Sequence, residues 1–121
     1  MRKFLLIALC CFPAVTFAKF INPMDFDGSE AQKNEVIEYI KAQVHKDYCE
    51  SQIDMCQDTT LRVMERENLE AFKRATQAKD KKIMNQVIKD YCLSGVDMCN
   101  YATIDMMYKE NLKASKQNLE W

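Results

Sequence analysis

The sequence predicts an all-α protein, a four-helix, bundle-like domain built from two tandem helix-turn-helix repeats and stapled by disulfides. Three observations carry that expectation. Only two glycines and two prolines occur among 121 residues, too few turn formers for a sandwich or barrel of many short strands. The chain matches itself at an offset of 43 residues, and four of its six cysteines fall into two copies of one spacing. Apolar residues make up 48% and charged residues 29%, with a formal net charge of -1, a balance that suits one folded domain rather than a disordered polyampholyte or a basic nucleic-acid-binding module.

Residues 1–18 read as a signal peptide. Arg2 and Lys3 supply a positive start, Phe4 to Phe12 a short apolar stretch, and Thr16-Phe17-Ala18 ends in the small residue that signal peptidase requires. The apolar run is far shorter than the ~20 residues of a membrane-spanning helix, so cleavage after Ala18 with no membrane anchor is expected. Leu9 before Cys10 is too large for a lipoprotein processing site. The short three-part layout suits a bacterial leader and hence a periplasmic or secreted protein. Losing Arg2 and Lys3 lowers Lys+Arg from 17 to 15 against 18 Asp+Glu. Cys49, Cys56, Cys92 and Cys99 stay, an even count that reads as two disulfides in an oxidising compartment. Residues 19–28 follow, and Phe20, Ile21, Met24 and Phe26 make them apolar enough to pack on the domain or on a partner.

The remaining residues, 29–121, form a single helical domain, with the first repeat over about 29–76 and the second over about 80–118. From Ile40 to Lys73, 18 of 34 positions are identical to those 43 residues later, including Lys46-Asp47-Tyr48-Cys49 with Lys89-Asp90-Tyr91-Cys92 and Asp54-Met55-Cys56 with Asp97-Met98-Cys99. Such self-similarity marks a duplication of one supersecondary unit. In the first unit Val36, Ile37, Ile40, Val44 and Tyr48 recur at helical spacing, with Ser29 or Asp27-Gly28 placed to start the helix. Glu50 to Ile53 breaks the pattern, as does Leu93 to Val96, which contains Gly95. Asp54 and Asp97 then stand as N-cap candidates, with Gln57 three residues after Asp54 as in a capping box. The second helices carry Leu61, Met64, Phe72 and Ala75, or Ile104, Met107, Leu112 and Ser115. Between the units, Thr76 to Asp80 is the expected reversal, although without glycine or proline it also permits a continuous helix.

Seven residues separate the cysteines of each unit. In a straight helix that is about 10.5 Å of rise, beyond the ~7 Å between α carbons that a disulfide tolerates. Two pairings survive. If the helix breaks between them, Cys49 pairs with Cys56 and Cys92 with Cys99; if both segments stay helical and pack antiparallel, Cys49 pairs with Cys99 and Cys56 with Cys92. The breaker and caps favour the local pairing. Joining Cys49 to Cys92 and Cys56 to Cys99 is the remaining option.

The residue pattern argues against most chemistry, and a non-enzymatic protein with no cofactor and no metal is expected. Cys-x6-Cys lacks the close spacing of a thiol redox centre, and zinc knuckles place their ligands two to four residues apart. The single histidine, His45, has Ile88 as its repeat counterpart and so is not required by the shared unit. Asp47, Asp54, Asp90, Asp97, Glu67 and Glu110 occur in both units, which suits caps and solvated faces better than one asymmetric catalytic site. Met24, Met55, Met64, Met84, Met98, Met106 and Met107 are soft copper(I) donors, but their pattern favours adaptable core filler. Asn68 and Asn111 are retained in both units despite the poor fit of asparagine to helix interiors, which predicts either a buried pair near a pseudo-twofold axis or a partner contact. No phosphate loop, basic aromatic patch or cationic lipid-binding face is present. Elimination leaves a protein that binds another protein, as an inhibitor, immunity factor or envelope-complex subunit, with a methionine-based copper carrier and a secreted effector or toxin as alternatives.

Overall fold

Each helix starts where a short polar side chain or a change of backbone direction permits it. The structure is a computed structural model that describes residues 18–52 and 54–121; the leader signals before Ala18, Cys10 included, lie outside the described residues, as does Ile53. A 3-10 turn, Pro23–Asp25, follows Asn22, whose Oδ1 accepts the Met24 N–H at 2.9 Å. Helix α1 spans Glu30–Cys49. Its N-cap is Ser29, which accepts from Gln32 N at 3.2 Å, and Gly28 before it takes φ of 77°, the left-handed region that glycine enters without steric cost. Helix α2 spans Asp58–Ala75, α3 Lys81–Cys92 and α4 Tyr101–Ser115. Asp80 caps α3 through Ile83 N at 3.0 Å and Asn100 caps α4 through Thr103 N at 2.8 Å. Thr76 to Asp80 is a reversal and not a continuation of α2.

The disulfides are local, Cys49–Cys56 and Cys92–Cys99, with α carbons 4.5 and 4.6 Å apart. That closeness corrects the expected caps. Neither Asp54 nor Asp97 caps a helix, because the chain must stay non-helical through Cys56 and Cys99 to bring each back to its partner. The second helices therefore start after Gln57 and Asn100, the next repeat-matched pair. Asn100 is short enough to cap with its side chain, whereas Gln57 makes no side-chain cap bond.

The helices pack in the order α1, α2, α4, α3, with α2 between α1 and α4, and α4 between α2 and α3. Val36, Ile40 and Val44 line the inner stripe of α1 at helical spacing. Phe72, Ala75, Met84, Ile104 and Tyr108 are buried with them. The N-terminal segment bridges all four helices: Phe20 lies against Tyr39 and Tyr101, with ring centroids 5.4 Å from each, Phe26 meets Phe72 at 5.1 Å, and Asn22 Nδ2 donates to Asn85 Oδ1 at 3.1 Å.

Comparing repeat-equivalent positions explains why the array has two units. In the second unit Met84, Ile88, Tyr101 and Tyr108 are buried, whereas their first-unit equivalents Lys41, His45, Asp58 and Glu65 are exposed, except the half-buried Glu65. At the other end Phe72 and Ala75 are buried, whereas their equivalents Ser115 and Asn118 are exposed. Polar outer faces are what terminal units of a stacked repeat need.

Candidate functional site

The two stapled turns form the most unusual surface of the molecule. In the second, the Ser94 hydroxyl donates to the Asp90 carbonyl, Gly95 reverses the chain with φ of 82°, and Met98 N donates to Val96 O at 3.0 Å. The first repeats the hydroxyl anchor, Ser51 Oγ donating to Asp47 O at 2.6 Å, and its Gln57 N donates to Met55 O at 2.9 Å as Asn100 N does to Met98 O at 3.0 Å in the second. Backbone bonding, a hydroxyl anchor and a covalent bridge thus consume the polar groups of short segments whose apolar side chains point outward. Leu93 is 78% exposed, and Met55, Val96 and Met98 are close to half exposed.

The second turn is also clamped to the first unit. Tyr39 Oη donates to the Cys99 carbonyl at 2.6 Å, Gln43 Nε2 donates to the same oxygen at 2.9 Å, and Lys46 Nζ lies 2.8 Å from Asp97 Oδ2. Asp97 therefore joins the two units. Burial and neighbouring groups shift the titration of Lys46, Asp47 and Tyr39. Hydrogen bonding to Asp97 holds the Lys46 ammonium above its ordinary range. Partial burial, and then the Asp97 charge, raise the Asp47 carboxyl, although Lys46 opposes this. Burial raises the Tyr39 phenol against the lowering effect of its bond from Gln43.

Asn68 and Asn111 do not meet. Each donates Nδ2 to the carbonyl four residues back, Met64 at 2.9 Å and Met107 at 2.7 Å, a local bond that accounts for asparagine in both helices. Only Asn68 is buried, and its Oδ1 accepts the Ala102 N–H at 3.0 Å, adding a second cap to α4 from the neighbouring unit. Near it, the buried Asp105 accepts from Arg74 Nε at 2.9 Å and pairs with Lys109 Nζ at 3.0 Å.

Two residues outside the sequence reading organise this region. Tyr101 is fully buried against Phe20, Tyr39 and Phe72, and its hydroxyl both donates to Ile21 O at 2.9 Å and accepts from Ile21 N at 3.1 Å. Its repeat equivalent is Asp58, so the duplication carries no hint of that role. Asp105, whose equivalent is Arg62, is the other. Its signal was the opposite charge at a matched position.

Of the methionines, Met84 is core, Met64 and Met107 pack partly buried against the core, and Met55, Met98 and Met106 are exposed. His45 is exposed beside Leu61, Arg62 and Glu65 in the open groove between α1 and α2. No cluster of three or more His, Cys, Asp or Glu side chains among the described residues is arranged to hold a metal, and no helix among them is long and apolar enough to cross a membrane. No protein-family model, curated protein or solved structure matches the chain.

Proposed function

We propose that the chain works outside the cytoplasm as a non-enzymatic binding protein, and that it grips another protein through the apolar residues of its two stapled turns. One observation carries this reading: Leu93, Val96, Met98 and Met55 are held out in solvent by covalently closed loops. Exposing a group of apolar side chains is costly in solubility and is characteristic of docking sites. A loop already ordered by a disulfide loses little further entropy on binding, which leaves more of the contact free energy for affinity. The bridges also suit an oxidising, extracytoplasmic compartment, where the leader expected over residues 1–18 would deliver the chain. Inhibitor, immunity factor and envelope-complex subunit all belong to this reading.

Site-specific photo-crosslinking in producing cells tests it. A crosslinkable side chain at Leu93 or Val96 should give one discrete protein adduct, and the same group at exposed Lys79 or Lys113 should give none. Absence of adducts at both turn positions, or the same adduct pattern at all four, contradicts the proposal.

A further inference from the structure

A second apolar surface lies away from the turns, in the groove between α1 and α2. One hollow of about 330 Å³ is floored by Val36, Ile37, Leu69 and Phe72 and flanked by Lys33 and Lys73. Another, of about 280 Å³, shares Ile37 and Leu69, continues to Ile40 and is flanked by Lys41 and Arg66. The shared residues make the two a single trough. Its rim carries mixed charge. Lys33, Lys41 and Lys73 each have a carboxylate one turn away, Glu30 at 3.0 Å, Glu38 at 3.8 Å and Glu70 at 3.6 Å, and Glu65 pairs with Arg62 at 3.0 Å. Among the described residues Arg66 has no such partner.

The complementary group is on the same chain. Beyond α4, Leu119 and Trp121 are fully exposed and flank Glu120. In extended backbone, residues two apart project to the same side about 6.6 Å apart while the one between points away. Leu119 and Trp121 can thus enter the two adjoining hollows with Glu120 directed to the rim, which carries Arg66.

The segment cannot bring Glu120 to Arg66 of its own chain. Tyr101 at the start of α4 lies 4.8 Å from Phe72, and the contacts Asn68 to Ala102 and Arg74 to Asp105 show that α4 advances in the same sense as α2. Ser115 is fourteen residues further on, about 21 Å along the helix, past the end of α2 and away from Arg66. Lys116 to Trp121 reaches at most about 20 Å when fully extended.

We infer that Leu119-Glu120-Trp121 of one molecule seats in the α1–α2 trough of a second copy, with Glu120 paired to Arg66. The contact is heterologous, so it closes only if two copies exchange segments and otherwise extends into chains. A three-residue anchor buries little area, and the association is weak and transient.

Trp121 is the sole tryptophan and reports directly on the contact. Raising the concentration of the purified chain from about 1 µM to about 1 mM should move its emission to the blue, with a matching rise in sedimentation coefficient. Ile37→Glu places a charge on the trough floor and should shift the midpoint upward about tenfold or more. Arg66→Glu should weaken association, and combining it with Glu120→Arg should restore it. Trp121→Ala, which touches no part of the fold, should abolish the concentration-dependent sedimentation. A chain that stays monomeric with solvent-exposed tryptophan emission at all concentrations overturns the inference. So does self-association that Ile37→Glu and Trp121→Ala leave unchanged, and so does a blue-shifted emission independent of concentration.

Discussion

Replacing Tyr101 with phenylalanine keeps the ring among Phe20, Tyr39 and Phe72 and deletes one oxygen. That oxygen satisfies both backbone polar groups of Ile21, accepting from its N–H at 3.1 Å and donating to its carbonyl at 2.9 Å. Ile21 is only 4% exposed, so water cannot replace the lost partner while the segment stays docked. Leaving a buried donor or acceptor unpaired costs about 1–3 kcal/mol each, which puts Tyr101→Phe, with two such groups, at roughly 2–6 kcal/mol. For a domain near one hundred residues each kcal/mol moves the melting temperature by about 4–8 °C, so a fall of about 8 °C or more is expected in a calorimetric melt. The local signature is faster amide exchange across Phe20 to Phe26 with little change in α2 and α4. Tyr108→Phe is the control, because its hydroxyl accepts only from Asp80 N at 3.2 Å, and should cost about 1 kcal/mol. If Tyr101→Phe changes stability by less than about 0.5 kcal/mol, or Ile21 keeps its exchange protection, the N-terminal segment is not held in this way.

Three further outcomes follow from the same contacts. Asn68→Ala removes a cap on α4 and should cost about 1–2 kcal/mol in denaturant titration, whereas Asn111→Ala, on the exposed repeat-equivalent residue, should stay within about 0.5 kcal/mol; equal losses would refute the assignment of the inter-unit bond to Asn68. Replacing Cys92 and Cys99 together by serine opens a short loop and should cost about 2.5 kcal/mol on chain entropy alone. The pairing is checked by unreduced tryptic digestion, which should release Asp47 to Arg62 and Asp90 to Lys109 as separate, internally bridged peptides. Alkaline pH should destabilise the fold: burial raises the Tyr101 phenol above its ordinary 10.0, so its contribution is complete below about pH 10, where the unfolded phenol is still protonated, and is lost above it. The slope from this phenol should be up to ~1.4 kcal/mol per pH unit, and Tyr101→Phe should reduce the total, leaving the part that the raised Tyr39 and Lys46 supply; a wild-type stability flat from pH 9 to 12, measured at those values, would contradict the buried, protonated hydroxyl.

Short-range physics made much of this molecule legible before any coordinates. Val36, Ile40 and Val44 announce a helix because the period of 3.6 places them on one face, whatever that face later meets. The seven-residue cysteine spacing excludes a straight helix because rise per residue is fixed by backbone geometry, and Gly95 marks where the chain turns. Helix starts were less accessible. Asp54 satisfies local capping rules and Gln57 does not, yet the closure of the disulfide, which keeps the chain non-helical through Cys56, moves the start past the aspartate.

Residue order therefore specifies the helices, the duplication and the local staples, since each depends on interactions within a few residues or on identity between units. Unit stacking settles the rest. It buries Asn68 and exposes Asn111, tethers Asp97 to Lys46, and gathers Ile21 and Tyr101, eighty residues apart, into one hydrogen-bonded hub. These outcomes have no periodic signature, because two chemically equivalent positions acquire different surroundings only when one unit has a neighbour on that side and the other meets water.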